Sequence, residues 1–283
     1  MPLRINIVYL SQTGNTEKVA VTMKDVFLAA GSEPRIFSLE NADPIAAADC
    51  DALAIGTPCF MSAAPTPVLQ FLHKMPNLED KPVFVFATSS GAPGRVLLDL
   101  KTACESKAGR VLGGILVRGE CHYPVPCLLG RFPTRPDEND LDRARKFAAT
   151  FHDHIKESKS TVLLSGDPDL VNGKTGFYGL VGRMLSDSTC RLLLPSPKAT
   201  QAKCTKCGIC AKHCPTDSIG LKPFPEISNS CIRCYRCIVV CHDDAMRTNI
   251  LWANLATLSL YSVTFELLFG DIKKGEQIYP SKD

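Results

Sequence analysis

Arg4-Ile5-Asn6-Ile7-Val8-Tyr9-Leu10, followed directly by Ser11-Gln12-Thr13-Gly14-Asn15-Thr16, is the stretch on which the fold turns. The first seven residues form an apolar run of strand length. The next six are small and polar and lead into a helix-compatible stretch at 16–30. A strand, a polar loop and a helix open a βαβ unit, and the pattern repeats along the chain. Further strand-like runs lie at 34–39, 52–56, 82–88 and 110–118, separated by helix-compatible stretches at 67–74, 95–107 and 137–156. Five strands alternating with helices predict an α/β domain over residues 1–157, with a parallel sheet covered on both faces.

Ligands of such sheets bind beyond the carboxyl ends of the strands, at the switch point between strands one and three. Three loops there are small and polar. The first, Ser11, Gln12, Thr13, Gly14, Asn15 and Thr16, offers hydroxyls, a flexible glycine and free helix amides, which suit a phosphate monoester. An ordinary turn capped by Thr or Asn would use the same residues. The second loop is Thr57, Pro58, Cys59, Phe60, Met61 and Ser62. The third runs through Thr88, Ser89, Ser90, Gly91, Ala92, Pro93 and Gly94. Three such loops at one sheet edge would enclose one crevice. Neither G-x-x-x-x-G-K-[ST] nor G-x-G-x-x-G occurs, so a triphosphate or a nicotinamide dinucleotide has no motif to hold it.

Cysteine is the abnormal residue of this chain, with 14 in 283. Eight of them form two identical runs, Cys204, Cys207, Cys210, Cys214 and Cys231, Cys234, Cys237, Cys241, each C-x2-C-x2-C-x3-C. This is the iron–sulfur spacing of bacterial ferredoxins. Three thiolates two residues apart wrap one face of a cube, and the fourth serves the other cube. By that rule Cys204, Cys207, Cys210 and Cys241 hold cluster one, and Cys231, Cys234, Cys237 and Cys214 hold cluster two. Zinc sites close with four ligands and do not need this ladder. Disulfides fit poorly with the expected cytoplasmic compartment, since an apolar strand follows Met1 with no signal-peptide pattern. The two halves repeat at roughly 27 residues. Pro215 follows Cys214, whereas His242 follows Cys241 where a second proline is usual.

The whole resembles the flavodoxin–ferredoxin fusion family, on the loop at 11–16 and the cysteine ladder. The resemblance implies a flavodoxin-like five-stranded sheet in the order 2-1-3-4-5, followed by a small α+β ferredoxin-like domain at 200–248. It implies FMN, with its phosphate on Ser11, Thr13, Gly14, Asn15 and Thr16, and two [4Fe–4S] clusters. The other two loops, including Ser90, Gly91 and Gly94, would line the ring, with Phe60 stacked on it. The sole tryptophan, Trp252, lies in the tail, and loop 57–62 has no glycine.

Charge bounds the partners. Lys+Arg of 32 against Asp+Glu of 29 leaves +3, so no basic stripe marks nucleic acid as a partner. Residues 201–247 carry seven Lys/Arg and four Asp/Glu. Two oxidised clusters would bring this stretch near neutrality, adding about −4. A protein redox partner is therefore expected, without the strongly acidic face of many ferredoxins.

Residues 158–199, with a helix expected at 180–194, read as a structured connector, and 249–283 as an apolar helix and tail. From Thr248 to Phe265 no residue is charged, but six Asn, Ser and Thr interrupt the run, so packing within the protein or on a partner is expected over a membrane span. Catalytic candidates are His122 and Tyr123, just after the fifth strand, as proton donors, and Cys59 beside the ring. Cys50, Cys104, Cys121, Cys127 and Cys190 lack cluster spacing and read as structural. His152 and His154 point to different faces of one helix and make a poor metal pair. Three functions fit these features. One is electron relay between two clusters and FMN. Another is reduction of a small organic substrate by cluster-fed FMN. The third is a flavin-free ferredoxin on an α/β docking domain.

Overall fold

The computed structural model describes residues 2–61, 63–90, 93–124, 129–130, 132–156, 163–165, 191–192 and 194–257. They belong to two compact units: the described residues of 2–120 and 132–165, and those of 121–130 and 191–257.

The first unit is a parallel sheet of β1 (Arg4–Tyr9), β2 (Glu33–Ser38), β3 (Ala52–Pro58), β4 (Pro82–Ser89), β5 (Arg110–Arg118) and β6 (Leu163–Ser165). Its order is β2-β1-β3-β4-β5-β6, and every neighbouring pair is parallel. The expected 2-1-3-4-5 order is present, and β6 extends it by one edge strand. Three residues are too few to show a period, so the sequence pattern does not separate this strand from the connector expected at 158–199. Residues 158–162, 166–190 and 193 of the connector, with most of the helix expected at 180–194, lie outside the described residues.

Helices α1 (Asn15–Ala29), α2 (Pro44–Ala48), α3 (Thr66–Lys74), α4 (Val96–Glu105) and α5 (Glu138–Lys156) cover the sheet. The strand pleat sorts alternate residues between them. Ile5, Ile7 and Tyr9 join Val19, Met23 and Phe27 of α1 and Phe147 and Phe151 of α5 in one core. Val8 and Leu10 join Val68 and Leu72 of α3 and Leu100 of α4 in the other. Phe84 sits 4.5 Å from the Phe151 ring, edge to face, the preferred arrangement of two π-systems. Complete burial of each such side chain contributes about 1.5–3 kcal/mol.

Two short-range features escaped the periodic reading. Helix α2 starts where the Asp43 carboxylate accepts from the Ala46 amide at 2.9 Å, and Pro44 fills its first turn. Asn6 is a fully buried polar residue in β1. Its Nδ2 donates to the carbonyls of Ala47 (3.0 Å) and Asp49 (3.2 Å) and so fixes the approach to β3.

The second unit holds two antiparallel pairs, β7 (Lys198–Ala199) with β10 (Met246–Arg247) and β8 (Ile219–Leu221) with β9 (Pro225–Ile227). Helical turns α6 (Ile209–Lys212) and α7 (Arg236–Val239) stand in equivalent places of the two repeats, and α8 (Ile250–Thr257) follows. Its small core is Cys210, Cys237 and Met246, backed by Ala199, Ile219, Ile227 and Ile238. The tail beyond residue 257 lies outside the described residues. Among those described, no helix is long and apolar enough to cross a membrane.

Residues 121–124, just after β5, belong to this second unit. The physical reason is Tyr123. Its hydroxyl donates to the Arg233 carbonyl at 3.1 Å, and its ring lies 5.2 Å from the Tyr235 ring.

Candidate functional site

The loop after β1 turns into α1 at Gly14, whose φ of +90° is a left-handed conformation that glycine adopts without strain. No side chain caps α1, so its first amides have no side-chain acceptor. Ser11 Oγ is buried and has no hydrogen-bond partner among the described residues. Such an orphan is costly unless a ligand supplies the missing acceptor or donor. A hydroxyl and helix amides without side-chain caps form a donor set that fits a phosphate ester.

The loops are tied to one another. Thr16 Oγ1 and Thr88 Oγ1 are 2.8 Å apart and buried, joining the first loop to the end of β4. The Cys59 amide donates to the Thr88 carbonyl at 2.7 Å, joining the second loop to the same residue. Asn15 Nδ2 donates to the Glu120 carbonyl at 2.8 Å. Thr57 and Ser89 are buried; Gln12, Pro58 and Ser90 are half-buried, and Thr13 is exposed. Phe60 pairs with Ala63 in a short bridge, and Met61 takes a φ of +45°. In the third loop, Gly94 is buried with a φ of +51°. Gly91 lies outside the described residues.

Asp99 supports the second loop and was not singled out from sequence. It is 7% exposed and accepts from the Ala64 amide at 3.1 Å and from Arg95 Nε at 2.5 Å. Burial raises its carboxyl above the ordinary value, although both hydrogen bonds oppose this. The i,i+4 pairing with Arg95 was the only local signal of its role. Cys59 Sγ donates to the Pro93 carbonyl at 3.4 Å. Cys50 and Cys104 are buried, and loss of hydration pushes their thiols up to about 11 and about 12, which keeps them unreactive. Cys121 is buried too, while Cys127 and Cys190 lie outside the described residues. His152 is held by Ser32 at 3.0 Å.

In the second unit, Cys204, Cys207, Cys210 and Cys241 line one cleft, together with Lys206, Pro225, Asp243 and Met246. Cys237 is buried, and loss of hydration raises its thiol, with Cys234, Cys231, Cys214 and Cys210 adding to the effect. The cleft thus brings Cys241 of the second repeat to three cysteines of the first.

The backbone repeats as closely as the ligands do. Lys206 and Arg233, Gly208 and Tyr235, and Asp217 and Asp244 are pairs at the repeat spacing, and all six have φ between +49° and +75°. The Ser218 amide donates to Cys214 Sγ, and the Ala245 amide to Cys241 Sγ, each at 3.2 Å. Amides aimed at sulfur stabilise the thiolate charge of an iron–sulfur cluster. Arg233 Nη1 is buried with no partner among the described residues. A donor left over between Cys231 and Cys234 suits an anionic cluster. Among the described residues, no three His, Cys, Asp or Glu side chains converge at the spacing of a single metal ion. The amides on Cys214 and Cys241 and the unpaired Arg233 donor are what fit a cluster held by thiolates, whose sulfurs each reach a different iron.

The flavodoxin domain family model matches residues 6–125, and the 4Fe-4S binding domain model matches residues 199–220. Among solved structures, a flavodoxin from the domain Archaea is 18% identical with a TM-score of 0.45, covering 54% of this chain and 99% of its own. The two-electron reduced flavodoxin of Megasphaera elsdenii is 23% identical with a TM-score of 0.41, covering 52% and 98%. A curated relative, a trichloroethene reductive dehalogenase of Dehalococcoides mccartyi, is 27% identical over 122 residues, which is 36% of this chain and 22% of that protein. The chain thus spans about a fifth of the length of that relative.

Proposed function

We infer that this chain, which joins a flavodoxin domain to a 4Fe-4S binding domain, relays electrons between two [4Fe–4S] clusters and one FMN. Cys204, Cys207, Cys210 and Cys241 would hold cluster one. Cys231, Cys234, Cys237 and Cys214 would hold cluster two. Ser11, Thr13, Gly14, Asn15 and Thr16 would hold the FMN phosphate, and Cys59, Phe60 and Met61 would flank the ring. The observation that carries this reading is the cleft that Cys204, Cys207 and Cys210 share with Cys241 of the second repeat.

When bound, a cluster passes one electron at a time and a flavin can store two, so the pair couples one-electron to two-electron partners. The protein's own part is positional. Gly14 turns the chain so that the α1 amides face the phosphate. The Thr16–Thr88 contact fixes two of the loops. The Ser218 and Ala245 amides favour the charged sulfurs of Cys214 and Cys241.

Support for the substrate-reductase alternative would have to come from an acid beside the ring. Tyr123, one of the two candidates, instead donates its hydroxyl hydrogen bond to the Arg233 carbonyl within the second unit. An anaerobic reductive titration tests the relay. About four electrons per chain are expected, two in the clusters and two in the flavin. Uptake of about two electrons, with no change in flavin absorbance, would overturn it.

A further inference from the structure

Resting on the cluster assignment above, we propose that Arg233 tunes cluster two: its guanidinium favours the reduced form of that cluster, and cluster one has no equivalent. Arg233 stands in the loop between Cys231 and Cys234, two of the four ligands assigned to cluster two. Its Nη1 is buried with no hydrogen-bond partner among the described residues. A buried donor on a cation is costly unless an anion answers it. The anion assigned to this loop is the cluster.

The surroundings hold the cation in place. Arg233 Nε donates to the Leu194 carbonyl at 3.3 Å, and the Arg233 carbonyl accepts from the Tyr123 hydroxyl at 3.1 Å. Tyr235, two residues on, is 1% exposed, and its hydroxyl donates to the Pro195 carbonyl at 2.8 Å. Burial pushes that hydroxyl up to about 12; the Thr248 contact and the Arg233 charge oppose the rise, while the Cys231 and Cys237 thiols add to it. The cation and two of the ligands therefore lie within electrostatic reach of one buried hydroxyl.

The first repeat lacks this arrangement. Lys206 and Gly208 stand where the second repeat has Arg233 and Tyr235. Lys206 is exposed and places Nζ 4.8 Å from the centre of the Phe224 ring, and Gly208 has no side chain to exclude water. Water screens an exposed charge far more than a buried one. Reduction adds one electron to a cluster with no bond change, so the site becomes one unit more negative and a fixed cation favours it. Burial of Cys231 and Cys237 works the other way, because a low dielectric disfavours added charge. Arg233 is the group that offsets it.

The test uses the full-length holoprotein in an anaerobic redox titration with dithionite, read by low-temperature EPR. Arg233→Met keeps the bulk and removes the charge. One of the two cluster potentials is expected to fall, lowering the reduced-to-oxidised ratio about tenfold, which is about 59 mV for one electron. The other should move less than about twofold in the same ratio. The potential that moves should be the one lost in Cys231→Ala and kept in Cys204→Ala. Arg233→Lys should recover at least about half of the shift, and Lys206→Met should move neither potential more than about twofold. Iron content is the control, and Arg233→Gln replaces Arg233→Met if that variant binds less iron than the wild type. Unchanged potentials in a neutral variant with full iron content, equal shifts in both clusters, or no recovery with lysine would overturn the tuning role while leaving the clusters in place. Iron lost from both neutral variants would make Arg233 a structural residue and overturn it too. Absence of dithionite-reducible clusters in the wild-type protein would instead overturn the cluster reading beneath it.

Discussion

Thr16 Oγ1 and Thr88 Oγ1 meet at 2.8 Å in a buried position, one at the start of α1 and the other at the end of β4. The Thr88 carbonyl also receives the Cys59 amide at 2.7 Å, so one residue secures two of the three loops at the sheet edge. Thr88→Val keeps the shape, leaves the carbonyl in place and strands the Thr16 hydroxyl. A buried hydroxyl without a partner costs about 1–3 kcal/mol. The variant is expected to lose that much in urea denaturation and to bind FMN roughly tenfold more weakly by fluorescence titration. Unchanged FMN affinity would show that the contact serves stability alone.

Gly56 illustrates a different constraint. A Cβ there would stand 2.0 Å from Phe86 Cζ, inside the ring. Gly56→Ala must displace Phe86 from a core where it is fully buried, and overpacking of this kind costs about 1–3 kcal/mol. Phe86→Leu in the same chain should recover part of the loss. Chemical denaturation of the single and double variants measures both.

The fourth cysteine of each run is expected to serve the opposite repeat. Cys241→Ala should therefore disturb the cluster held by Cys204, Cys207 and Cys210, while Cys214→Ala should disturb the other. Low-temperature EPR of the reduced variants distinguishes them, because the surviving cluster differs in each. Identical residual spectra would contradict crossed ligation.

Asp99 makes a pH prediction of definite sign. Burial raises its carboxyl above the ordinary aspartate range, so the folded chain keeps a proton that the unfolded chain has released. Its contribution to stability is greatest below that value and declines as pH rises through the raised one. Asp99→Asn removes this term. The wild-type minus variant difference in unfolding free energy should fall as pH increases from about 3.5 to about 6. A difference that grows over that range would contradict the assignment.

Legibility of the chain in its sequence followed the range of the forces involved. The runs at 4–10 and 82–88 alternate or fill with apolar residues because both sheet faces are covered, and their strands lie within a residue or so of where periodicity put them. The cysteine ladder was visible because its spacing is local. What escaped depended on distant partners. β6 exists only by pairing with β5. Asp99 matters through the Ala64 amide, 35 residues away. Tyr123 follows the fifth strand in sequence, yet its ring and hydroxyl find their partners at Tyr235 and Arg233. No pattern around residue 123 announces a contact of that length.

The central claim is that one chain carries both kinds of redox group, and its most direct test is the iron and flavin content of anaerobically purified protein. The account predicts about eight irons and about one FMN per chain. About eight irons with no flavin retained, even after added FMN, would contradict it and leave a ferredoxin carried on an α/β domain.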